Sequence, residues 1–87
     1  MSSHMAAEGN REFGNVELSY AYLLQWFDNY NIDSKNCRFL DIGTNRGTLP
    51  FLFYSRLGCY MEGIDCISER IHYGKERYPE IADRLAH

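Results

Sequence analysis

The chain has 87 residues and a formal net charge of −3, room for one small domain that buries roughly 60 to 65% of its unfolded surface. Hydrophobic residues make up 45% and charged residues 24%, which excludes a disordered or collagen-like chain, and no apolar run approaches the roughly 20 residues of a membrane-spanning helix. The nine Lys and Arg are scattered from Arg11 to Arg84, and the odd set Cys37, Cys59 and Cys66 has neither disulfide-framework nor zinc-site spacing, so a reducing intracellular setting, cytoplasmic or nuclear, is expected.

Met1-Ser2-Ser3-His4-Met5 reads like the remnant of an expression tag, and residues 1–10 are set aside as an unstructured leader. From Val16 to Tyr30 the residues Val16, Tyr20, Leu23, Leu24, Phe27 and Tyr30 recur in steps of three and four, the stripe of an amphipathic helix. Asn15 is its expected N-cap, and the aromatics Tyr20, Trp26, Phe27 and Tyr30 read as core. The polar cluster Asn29, Asn31 and Asp33 to Asn36 ends the helix in a loop, so that residues 11–36 form a helix and its connection.

Cys37 to Ile42 is a short apolar run closed by Gly43, suited to a buried parallel strand. Thr48 to Leu57 reads as a helix, with Pro50 near its start and Gly58 just past its end. Cys59 to Ile64 gives a second strand ending in Asp65. Ser68 is placed to cap a helix from Glu69 to Tyr78 that Pro79 stops, and Glu80 to His87 reads as one more short helix. The fold expected is α/β, with an amphipathic helix ahead of a partial parallel sheet in residues 37–87, a βαβα unit of Rossmann-like kind.

The chemistry concentrates where the first strand runs into Gly43-Thr44-Asn45-Arg46-Gly47 and then into a helix. Glycines there let the backbone bend and leave no Cβ where a ligand must lie close. Asp65 ends the next strand 18 residues beyond Gly47, where a carboxylate can accept hydrogen bonds from both hydroxyls of a ribose. Adjacent parallel strand ends meet at a crevice, so Asp41 to Gly47 and Asp65 are expected to share one pocket.

Asp41-x-Gly43-x-Asn45-x-Gly47 resembles motif I of the Rossmann-like methyltransferases that use S-adenosylmethionine, and Glu62-Gly63-Ile64-Asp65 resembles their acidic motif at the second strand. The resemblance covers residues 37–78. It implies that Gly43 and Gly47, with Thr44 and Asn45 between them, wrap the methionine portion of the cofactor, that Asp41 orients this loop, that Asp65 holds the ribose, and that Cys66 and Ile67 wall the adenine. Asn45 replaces the family's middle glycine, and Asn tolerates left-handed backbone better than most residues. A nicotinamide site asks for Gly-x-Gly-x-x-Gly, which Gly43 and Gly47 do not supply. The implied reaction is methyl transfer from S-adenosylmethionine, leaving S-adenosylhomocysteine, to an RNA, protein or small-molecule acceptor; no catalytic residue is named.

The other side chains have plainer readings. Thr44 and Arg46 are loop residues that face either ligand or solvent. Phe51, Phe53 and Tyr54 pack a helix on the sheet, His72 belongs to a solvated helix face, and Cys59 and Cys66 read as buried small hydrophobes. With two strands visible, the sheet has an unpaired edge and an uncovered face, so a homo-oligomer or a further C-terminal part is expected to complete it. The alternative to an enzyme fragment is a non-catalytic half-Rossmann module that binds a nucleotide or a protein; an NAD-linked fragment is a third reading.

Overall fold

The computed structural model describes the backbone from residue 3 and the side chains from residue 14, in both cases to residue 87. Residues 1 and 2 lie outside the described residues, and residues 3–10, set aside with them as unstructured, are helical. The chain divides into two compact units, Met1–Ile32 and Asp33–His87.

The first unit is a helix, α1 (Ser3–Asn29). It begins well ahead of Asn15, which therefore lies inside the helix and does not cap it. Ala6, Ala7, Glu8, Arg11 and Glu12 are good helix formers, which explains why winding extends over a stretch lacking an apolar stripe. At the other end Asn31 takes a left-handed conformation (φ 54°), and the Ile32 N–H bonds back to the Phe27 carbonyl at 2.8 Å, satisfying one of the last free carbonyls. Tyr20 is buried, but Trp26 and Tyr30 are 60% and 67% exposed, with ring centroids 5.6 Å apart. These two expected core residues share the ridge of Leu18 and Tyr22, all four spaced by four, and that ridge lies outside the Tyr20–Phe27 stripe.

In the second unit a 3₁₀ turn, Ser34–Asn36, leads into β1 (Arg38–Ile42). After the glycine loop come α2 (Thr48–Leu52), a π-helical turn (Phe53–Leu57) that continues it, β2 (Tyr60–Ile64), and α3 (Ser68–Arg77). Pro50 sits at the third position of α2, where the missing N–H has no intrahelical partner to lose. Gly58 stops the π turn at φ 65°. The expected last helix is replaced by a 3₁₀ segment, Pro79–Arg84, followed by a third strand, β3 (Leu85–Ala86). Two residues carry no readable period. They are strand because Leu85 and Ala86 pair with Gly63 and Ile64 of β2.

The sheet is parallel in the order β1-β2-β3. Phe39, Met61 and Leu85 face the helices: Phe39 meets Phe53 edge-on at 5.4 Å between ring centroids, and Met61 and Leu85 are buried. Ile71, Tyr78, Ile81 and Leu85 form a core cluster, with Phe51 packed against it and stacked on the Tyr78 ring at 4.4 Å. Tyr54 lies at the margin, under the Arg84 guanidinium. The opposite sheet face carries Leu40 and Ile42, 55% and 77% exposed.

Candidate functional site

β1 ends at Ile42 and the chain turns through Gly43 to Gly47 into α2. Gly43, Asn45 and Gly47 all have positive φ, at 76°, 61° and 79°, so the asparagine stands in the left-handed conformation that its side chain tolerates. The two glycines do different work. A Cβ on Gly43 would meet nothing within 4 Å, whereas one on Gly47 would fall 2.6 Å from Leu85 Cδ2. Gly43 faces open space that a ligand can use; Gly47 is needed for close packing of the loop on β3.

The loop is tied down from β2. The N–H groups of Gly43 and Thr44 both bond to the Ile64 carbonyl at 2.9 Å. Asp65 then divides its carboxylate: Oδ2 accepts from the Asn45 N–H at 2.8 Å and Oδ1 from the Ile67 N–H at 2.9 Å. Its own N–H bonds to the Ala86 carbonyl at 3.1 Å. Asp65 thus closes the turn that leads into α3, whose N-cap falls at Ile67 and not at Ser68, and it joins the ends of all three strands. A sequence pattern could not show this double use, because Ser68 is the usual capping type one residue from the correct position.

The two acidic residues are shifted in opposite directions. The Ile67 N–H, helped by the Asn45 N–H, the Arg70 charge and the Cys66 N–H, outweighs the cost of burial and draws the Asp65 carboxyl below the ordinary carboxylate range. Burial raises the Asp41 carboxyl above that range, and the charge of Asp65 adds to the rise. Thr44 is buried, its hydroxyl outside hydrogen-bonding geometry with any protein group, as is the Asn45 side-chain carbonyl. Arg46 is buried as well, with its guanidinium over the Tyr73 ring at 5.0 Å. Neither Thr44 nor Arg46 is a solvated loop residue.

A cavity of about 430 Å³ opens at the carboxyl ends of the strands, lined by Ile42, Gly43, Ile64, Asp65, Cys66 and His87. That volume lies within the range of small-molecule sites. Of the residues singled out in the sequence, Gly43, Asp65 and Cys66 meet here. Asp41 in β1, Thr44, Asn45 and Gly47 in the loop, and Ile67 ahead of α3 are not among its lining residues. Cys66 is exposed on the cavity wall, a correction to its reading as a buried hydrophobe, since the turn after β2 carries it out of the core. His87 was missed. Only the unrecognised β3 could have placed it beside Asp65.

Among the described residues no group of three or more His, Cys, Asp or Glu is arranged to hold a metal, and no helix is long and apolar enough to cross a membrane. His72 pairs with Glu76 one turn along α3, both exposed.

No family model matches the chain, and no curated protein matches it. The X-ray structure of YjhP from E. coli is similar, with a TM-score of 0.56 and 25% identity over 80% of this chain. The likeness supports the α/β fold. This chain spans 28% of the YjhP chain.

Proposed function

We propose that the Asp33–His87 unit is the cofactor-binding part of an S-adenosylmethionine-dependent methyltransferase with a Rossmann-like sheet. The observation that carries this reading is the meeting of Gly43, Asp65 and an apolar cavity at the ends of adjacent parallel strands, the place where open α/β sheets take nucleotide-like ligands. Gly43 leaves room for the ligand beside the backbone. Asp65 is kept ionised, and its two backbone bonds use about two of the roughly four lone-pair sites of a carboxylate; the remainder accept the hydroxyls of a ribose. Ile42, Ile64 and Cys66 supply apolar contact. S-adenosylmethionine bound there contributes an activated methyl group, and the acceptor, whether RNA, protein or metabolite, is held by parts of a longer protein.

One observation favours the second reading, a non-catalytic half-Rossmann module. Both carboxylate oxygens of Asp65 and the missing Cβ of Gly47 are already explained by internal contacts, which a scaffold needs as much as an enzyme does. The exposed Leu40 and Ile42 fit either a second copy of the chain or further strands of the longer protein.

Calorimetric titration with S-adenosylhomocysteine, with NAD as control, separates the readings. Saturable binding of S-adenosylhomocysteine alone is expected. Cys66→Trp is expected to abolish it by filling the cavity from an exposed position while leaving the unfolding midpoint unchanged. Absence of binding at millimolar ligand, or equal binding of NAD, rejects the methyltransferase reading.

A further inference from the structure

Between Gly14 and Tyr30, α1 and its end carry large apolar side chains on two sides. The stripe of Val16, Tyr20, Leu23, Leu24 and Phe27 is buried or half-buried along its length. The ridge of Leu18, Tyr22, Trp26 and Tyr30 is 60 to 67% exposed. A helix apolar on both sides is built to have a partner on both. The positions that flank the ridge, at about 100° per residue, are Gly14, Asn15, Ser19, Gln25 and Asn29, none of them charged. Glu17 and Asp28, the carboxylates of this stretch, lie more than about 100° around the helix from Tyr22.

We propose that this ridge is a homodimer contact, with α1 of one copy laid across α1 of a second about a two-fold axis. A row of residues spaced by four packs into the groove beside an identical row, with the helices crossing at about −50°. An axis at the middle of the row sets Leu18 of one copy opposite Tyr30 of the other and Tyr22 opposite Trp26, so the contact is self-complementary and aromatic at its centre. At the observed exposure each of these side chains has about 100 to 150 Å² left to bury. That brings the contact to roughly 1,000 Å² over both copies, the threshold of a specific interface. Charge selects a second copy as the occupant. The chain carries a net charge of −3, and two copies approach by this face without setting carboxylate against carboxylate. A charged foreign partner would need complementary charges at the rim, and this rim has none.

Trp26 is the chain's one tryptophan, so its fluorescence reports on this face. The test follows Trp26 emission and sedimentation in parallel from low micromolar to millimolar chain. The expected result is a shift of the emission to shorter wavelength in step with a doubling of mass, at a micromolar midpoint suited to a small interface. Tyr22→Glu keeps a good helix former and puts a carboxylate from each copy near the axis; it is expected to raise the midpoint about tenfold or more, with the wild-type helix content by circular dichroism. Leu40→Thr with Ile42→Thr, on the sheet, is expected to leave the Trp26 shift in place. If the emission stays that of an exposed indole across the whole range, or the chain associates with Trp26 unshifted and Tyr22→Glu without effect, the ridge is not a homodimer contact and the proposal is overturned.

Discussion

At the scale of single residues, the two aspartates make opposed predictions. Asp65 has a depressed folded pKa, so its stabilisation is fully present above the ordinary carboxylate value and is lost as pH falls through the depressed one. Asp65→Asn is expected to cost about 2 to 3 kcal/mol at neutral pH, the worth of charged hydrogen bonds, and progressively less in acid, measured by urea unfolding across pH. Asp41 has a raised folded pKa; its favourable contribution is present below the ordinary value and is lost as pH rises through the raised one. Asp41→Asn is therefore expected to stabilise the protein at neutral pH and to give no gain in strong acid. A destabilised Asp41→Asn at pH 7 would contradict the burial argument. Gly74 makes a third prediction, because a Cβ there would strike the Arg46 backbone carbonyl, which cannot rotate away as a side chain can. Gly74→Ala is expected to cost about 1 to 3 kcal/mol or more. These roles differ in how readily the sequence shows them. The left-handed backbone at Asn45 follows from residue type, but Gly74 owes its identity to a loop 28 positions earlier, and no local pattern records that.

At the scale of elements, Leu85 connects the short third strand to the rest. Its side chain is 2% exposed and occupies the space that a Cβ on Gly47 would need. Leu85→Ala is expected to lose about 2 to 5 kcal/mol and to speed hydrogen exchange at the Gly47 amide, which bonds to the Thr44 carbonyl at 3.1 Å. Unchanged exchange in the variant would show that β3 does not brace the loop. The sequence disclosed β1, α2 and β2 because each combines an apolar run with its own stop, Gly43, Gly58 and Asp65, and it disclosed α3 through its punctuation, Ser68 at the start and Pro79 past the end. It did not disclose β3, where pairing with β2 overrides a local pattern that looks helical, nor the true start of α1, where helix propensity extends winding past the apolar stripe. Missing β3 also hid His87 as a cavity residue, so the candidate site was legible at two of its three strand ends.

At the scale of the whole molecule, each unit has its own hydrophobic surface to account for. In the Asp33–His87 unit, β1 has β2 on one side and no partner strand among the described residues on the other, and its five residues contain no Pro or Lys to discourage edge pairing. Sedimentation is expected to show concentration-dependent association, reduced when Leu40 and Ile42 are both changed to Thr; a wild-type chain that stays monomeric would remove the case for this face. The central claim is that the three strand ends form a nucleoside site, and its most direct test is equilibrium unfolding of the chain with increasing S-adenosylhomocysteine. Binding to the folded state alone stabilises by about 2.7 kcal/mol at a hundredfold excess over Kd. The account predicts a stability that rises with ligand concentration in the wild type and stays flat in Cys66→Trp. A wild-type stability that does not move at millimolar ligand would contradict it.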